Sequence, residues 1–259
     1  MSVYALDCDA ESFASWLESE TAKYNKTEEK RPAVAMFIPH ATTEQCASMA
    51  VEAMSHITGL GDCRGIALIA CAIDDGKTDR AGIVTVDRGI TDYSHGSFDS
   101  SMPVTLELSL NKAIPSLTKT DFGPISNKYL KAALPFAADI AKKAELPLIT
   151  FLYQKLDANA LHTLLDALFR EKIFVIGCGN LSHSMSEPEV KSNDSDTISK
   201  IISLDPRITD KQSSSHAILN ALAILCDERC LRPKLIRYQT TPTEKFSNVA
   251  GYASLMYYR

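Results

Sequence analysis

The run Ala33-Val34-Ala35-Met36-Phe37-Ile38 is apolar at every position and stops at Pro39-His40-Ala41-Thr42. An apolar run without alternation predicts a strand buried on both faces, as in a parallel sheet, followed by a loop at its carboxyl end. The pattern recurs over Gly65 to Ala72, ahead of the acidic turn Asp74-Asp75-Gly76, and over Pro147 to Tyr153. It recurs again at Lys172-Ile173-Phe174-Val175-Ile176, which enters Gly177-Cys178-Gly179-Asn180-Leu181-Ser182-His183-Ser184. Further strands are predicted over Gly82 to Val86, Lys234 to Gln239 and Asn248 to Tyr257.

Between these runs the spacing changes to that of helices. Asp9 caps a predicted helix to Tyr24, with Phe13, Trp16 and Leu17 on one face. Thr42 or Thr43 caps another to about Ile57, with Cys46, Met49, Ala50 and Met54 turned inward. Asn127 to Ala144 is helical in pattern, and Pro135 within it predicts a kink or a split. Asp157 caps a helix carrying Leu161, Leu164, Leu165 and Leu168, and Ser213 or Ser214 caps one through Ile218, Leu219, Leu222 and Leu225. Arg88 to Pro103 is predicted to be a long loop or a lid, and the polar stretch Ser184 to Asp196 a mobile segment. Strands alternating with helices predict an α/β fold: a single domain with a mainly parallel central sheet flanked by helices. That domain is expected over 31–259, after an N-terminal helix and linker over 1–30.

Composition narrows the function. The chain has 259 residues, 45% of them hydrophobic and 23% charged, with a formal net charge of −5. That is the make-up of a soluble globular protein, and without a dense Lys/Arg block it disfavours a nucleic-acid partner. No apolar stretch approaches membrane-spanning length and no signal pattern opens the chain, so a membrane partner is not expected and the cytoplasm is the expected location. Seven widely spread cysteines (Cys8, Cys46, Cys63, Cys71, Cys178, Cys226, Cys230) fit reduced thiols. Cys226 and Cys230 share a helical face, where packing is the better reading than a metal half-site. Neither Gly-x-Gly-x-x-Gly nor Gly-x-x-x-x-Gly-Lys-Ser/Thr follows a strand, so no nucleotide cofactor is expected. His-Glu-x-x-His and Gly-x-Ser-x-Gly are missing as well, which removes the basis for zincin and α/β-hydrolase readings.

The ordered motifs resemble a family. Arg31-Pro32-Ala33 through Ile38-Pro39-His40-Ala41 resembles the Pro-His-Ala-Gly signature of Memo-family proteins. Leu134-Pro135-Phe136 resembles their helical Leu-Pro-Phe, and Asn180-Leu181-Ser182-His183 their Ser-Asp-Leu-Ser-His. Ile218-Leu219-Asn220-Ala221, Tyr238-Gln239-Thr240 and Val249-Ala250-Gly251-Tyr252-Ala253 follow in the family's order. The resemblance spans Arg31 to Tyr258 and implies the fold shared with class III extradiol dioxygenases, which are non-haem iron enzymes. Gly179-Asn180-Leu181-Ser182-His183 is closer still to the Gly-x-x-Ser-His loop of those dioxygenases, whose histidine is an acid/base.

Departures from the family are as specific as the matches. Cys71-Ala72-Ile73-Asp74-Asp75 stands where the family carries a histidine, and Asn127-Lys128-Tyr129 where it carries Glu-His-Ser. Asn180 replaces its aspartate, Asp210-Lys211 fall near its Cys-Gly, and Thr42 replaces a glycine.

The resemblance implies a strand-end pocket for a small-molecule ligand and a divalent metal such as Fe(II). His40, Asp74 or Asp75, and Asp210 are the candidate metal ligands, a mixed N/O set with one imidazole fewer than the common two-histidine, one-carboxylate iron site. His183 is the candidate acid/base with Asn180 beside it, and Ser182, Thr42 and His95 are candidate substrate contacts. The plainer readings stand next to these: Asp74-Asp75-Gly76 as a solvated turn, His183 as a loop tie, Cys178 as a buried small residue. The function expected is metal-dependent oxidoreductase or dioxygenase-type chemistry. The alternative is a degenerate, non-catalytic homologue serving as a binding module, a homo-oligomer or a complex subunit.

Overall fold

A computed structural model of the protein describes residues 9–24, 28–40, 44–72, 82–85, 90–93, 96–114, 117–119, 128–183, 186–241 and 249–259. Helix α1 (Ala10–Thr21) leads into strand β1 (Ala33–Ile38), helix α2 (Glu44–Ser55) and strand β2 (Gly65–Cys71). Then come β3 (Gly82–Thr85), β4 (Ile90–Tyr93), β5 (Gly96–Asp99), α3 (Val104–Ala113), β6 (Leu117–Lys119) and α4 (Lys128–Ala144). The last part holds β7 (Leu148–Gln154), α5 (Ala158–Arg170), β8 (Ile173–Cys178), α6 (Glu187–Ile202), α7 (His216–Arg229), β9 (Arg232–Thr240) and β10 (Gly251–Tyr258).

Eight strands form one sheet in the order β6-β3-β7-β2-β8-β1-β10-β9. Its centre, β7-β2-β8-β1, is parallel throughout, with Ile66 opposite both Leu148 and Phe174 and Ala35 opposite Val175. The margins are antiparallel where β3 meets β7, β10 meets β1 and β9 meets β10. The fold is therefore α/β with a mostly parallel central sheet flanked by helices, as the apolar runs predict.

Period-two alternation sorts the central side chains between the two faces. Met36 and Ile38 of β1 join the core under α1, α2 and α4, while Ala35 and Phe37 join the core under α3, α5 and α7. Helix α1 belongs to the first of these cores: Phe13 lies edge-on to Phe136 of α4 at 5.7 Å between centroids. Its cap is the predicted one, Asp9 accepting from the Ser12 amide at 2.8 Å. Asp157 likewise caps α5 through the Ala160 amide at 2.9 Å.

The structure departs from the sequence reading in three places. The polar stretch after Ser184 is not a mobile segment where it is described, but the start of α6. Glu189 accepts from the Ser186 amide at 3.0 Å and from its hydroxyl at 2.5 Å, and Val190, Asp194, Thr197 and Ile201 form a buried stripe at helical spacing. The predicted loop at Arg88 to Pro103 contains the hairpin of β4 and β5. Pro135 sits inside an unbroken α4, where Leu134, Phe136 and Ala137 are buried against the sheet and hold the helix through it.

Candidate functional site

The chain leaves β1 and β8 in opposite directions. After Ile38 it passes to α2 on one face of the sheet, and after Cys178 to α6 and α7 on the other. The two strands are parallel neighbours, Ile38 opposite Cys178, so their carboxyl ends part at a topological switch point. Open α/β sheets bind ligands in such crevices. His40 and Asn180 stand at this switch point. The Gly179 amide donates to the Ile38 carbonyl at 3.0 Å, and the His40 amide to Asn180 Oδ1 at 3.4 Å.

Three elements hold the loop after β8 in place. At the head of α7 the Ser213 hydroxyl donates to the Asn180 carbonyl at 2.6 Å and accepts from the Ser215 amide at 3.0 Å. Ser215 lies so close to Gly179 that a Cβ at 179 would stand 1.7 Å from Ser215 Oγ. From β10, Gly251 takes the Leu181 amide on its carbonyl at 3.0 Å and gives its own amide to the Ser182 carbonyl at 2.9 Å. From α6, the Asp194 carboxylate accepts from the Ser182 amide at 3.0 Å and from the Tyr238 hydroxyl of β9 at 2.9 Å. A Cβ at Gly251 would lie 1.6 Å from Asp194 Oδ2, so this glycine is where the backbone must approach the carboxylate.

Asp194 is fully buried. Burial raises its pKa above the ordinary carboxylate value, and the hydrogen bonds from Ser182 and Tyr238 oppose that rise in part. The Tyr238 phenol is pushed up in turn, first by its own burial and then by the Asp194 charge. Ser182 Oγ is buried near the same carboxyl without a hydrogen bond of ordinary geometry.

The residues singled out from sequence fare differently. His40 and Asn180 are brought together at the strand ends, both half-buried. His183 is exposed, and its ring makes no hydrogen bond or ion pair among the described residues. Ser182 is fully buried, which turns an expected substrate contact into part of the loop's anchorage. Asp210 is exposed in the turn before Ser213. Thr42, Asp74, Asp75 and His95 lie outside the described residues. Among the described residues no three His, Cys, Asp or Glu side chains gather into a group able to hold a metal ion. The described donors thus do not by themselves assemble the expected metal set.

Cys178 is a fully buried strand-end residue whose thiol is pushed far up by burial, and Cys71 is raised by the same cause. Burial of both thiols disfavours the thiolate, which fits Cys178 as a buried small residue at the strand end. The sequence reading missed Asp194 altogether. It met Ser213 only as a helix-cap candidate beside Ser214 and passed over Ser215, the residue that stands at the cap position; the serine run was the one available signal. No family model matches the chain, and no curated protein matches it.

Proposed function

We propose that the chain is a Memo-like binding module whose ligand site is the crevice between the carboxyl ends of β1 and β8, and that it works without redox catalysis. The observation that carries this reading is how the loop's polar groups are engaged. Asn180 takes the His40 amide on its side chain and the Ser213 hydroxyl on its carbonyl, and Ser182 is held by Asp194. His183 is exposed, so a bound ligand can meet its imidazole directly. The half-buried His40, the Asn180 side chain and the exposed His183 three residues further along the same loop are the groups proposed to contact a small polar molecule.

The test is a small-molecule screen followed through the backbone amide signals of the full chain, with turnover measured for every hit. The reading expects a ligand that moves the His40 and Asn180 amides together, binds more weakly to His183→Ala, and is returned unchanged in air with added Fe(II). Hits that leave those amides unmoved, or oxidation of a bound ligand, would overturn it.

A further inference from the structure

A second site lies at the opposite end of the sheet, where β1 and β8 begin and β10 ends. With the turn at Leu60–Asp62 these strand ends form a cavity of about 60 Å³, lined by Pro32, Cys63, Phe169 and Ile173 and by the exposed Lys172 and Arg259. That is room for about five water molecules, the size of a phosphate or sulfate ion. Backbone hydrogen bonds hold both cationic residues in place. The Arg259 amide donates to the Pro32 carbonyl at 3.1 Å, and the Lys172 carbonyl accepts from the Arg64 amide at 3.0 Å. The Arg259 guanidinium lies over the Phe169 ring, 5.4 Å from its centroid, a contact that orients the group while leaving its N–H donors unused.

Charge at this cavity is unbalanced. The chain neighbours Arg31 and Arg64 are paired, with Glu29 at 2.6 Å and Glu171 at 3.0 Å. Lys172 and Arg259 make no ion pair among the described residues. Both act on the thiol of the half-buried Cys63: burial raises its pKa, Arg259 and Lys172 pull it down, and Asp62 adds to the rise. Two cations and one carboxylate are thus within Coulomb reach of one point in the lining, and the balance is positive. Burial disfavours the Cys63 thiolate, so the thiol does not supply the missing anion.

We infer that this cavity binds a small free oxyanion of the phosphate or sulfate type, with the Arg259 guanidinium and the Lys172 ammonium donating to its oxygens. The site is separate from the strand-end crevice and stands whether or not the function proposed above holds.

The test is titration of the full chain with inorganic phosphate at constant ionic strength, followed through the backbone amide signals. Saturable shifts are expected at Cys63, Lys172 and Arg259, with His40 unmoved and no saturation by sodium chloride. Phenyl phosphate is expected to bind more weakly, because the cavity does not hold its ring. Arg259→Gln and Lys172→Gln, both at exposed positions, are each expected to weaken phosphate binding about tenfold, the size of one charge-assisted hydrogen bond. Asp62→Asn is expected to tighten it by about two- to fivefold, which damage to the fold would not do. Absence of saturation, equal saturation by chloride, phenyl phosphate binding at least as tightly, or unchanged affinity in the folded Gln variants would each overturn the site. Should one Gln variant not fold, the other and Asp62→Asn decide it.

Discussion

The Asp194 carboxylate accepts the Ser182 amide at 3.0 Å, joining helix α6 to the loop that leaves β8. With the Tyr238 hydroxyl on its other oxygen and Gly251 pressed against it, this carboxyl fixes the loop that carries Asn180 and His183. Asp194→Ala leaves the Ser182 amide and the Tyr238 hydroxyl buried without an acceptor, and is expected to destabilise the chain by about 2–4 kcal/mol. Asp194→Asn keeps an acceptor and is expected to cost much less. Urea unfolding of the two variants checks the order; equal losses would contradict it.

Asp194 also carries a pH signature. Its pKa is raised by burial, so the folded chain holds that proton to higher pH than the unfolded chain, whose value is near 3.8. The stability it contributes is therefore complete below the unfolded value and is lost as pH rises through the folded one. Asp194→Asn has no such proton. The stability of the Asn variant relative to the natural chain is expected to climb as pH rises above the unfolded value of 3.8 and to level off once the folded carboxyl has lost its proton. A flat difference across that range would show that the carboxyl titrates normally.

Gly179 and Ser215 are expected to couple. Gly179→Ala drives a methyl into Ser215 Oγ and is expected to cost about 1–3 kcal/mol as an overpacking change. Ser215→Gly removes the two nearest atoms that the methyl meets and leaves only Phe37 Cζ at 3.2 Å, so the double variant is expected to be more stable than the two single losses added together. Strict additivity in a double-mutant cycle would mean that the contact is relieved some other way.

Helix α6 is expected to unravel from its first turn when its cap is removed. Glu189 accepts from both the amide and the hydroxyl of Ser186, and those bonds hold its carboxyl below the ordinary value. A lowered carboxylate pKa stabilises above the unfolded value and is lost as pH falls through the folded one. Glu189→Ala is expected to speed amide exchange in the first turn at neutral pH, with little further change on acidification. Unchanged exchange would place the helix start under other control.

These results separate what the sequence carries from what it hides. Continuous apolar runs announce β1, β2, β7 and β8 because nothing on a doubly covered strand needs to be polar. Helix α3 is disguised: Val104, Leu106, Leu108 and Leu110 alternate as a strand would, yet only Leu106 and Leu110 are buried, while Val104 and Leu108 stay 70% and 66% exposed. Packing against α5 decides between the two periods, and that contact cannot be read locally. Helix α6 is hidden for another reason, since two of its inward positions are Asp194 and Thr197.

The site divides along the same line. His40 and Asn180 are legible because each follows a predicted strand, and strand ends collect at one edge of a parallel sheet. The anchoring of Ser182 by Asp194 is not, because a buried carboxylate on a polar helix looks like a solvated one until the fold brings Gly251 and Tyr238 to it.

The most direct test of the central claim is element-specific metal analysis of anaerobically purified full chain, with thermal stability scanned against Fe(II), Cu, Mn and Zn. A binding module without redox catalysis is expected to hold metal well below one equivalent and to melt at the same temperature in every series. Near-stoichiometric metal that is lost in His40→Ala would contradict the account and return the strand-end crevice to metal-dependent chemistry.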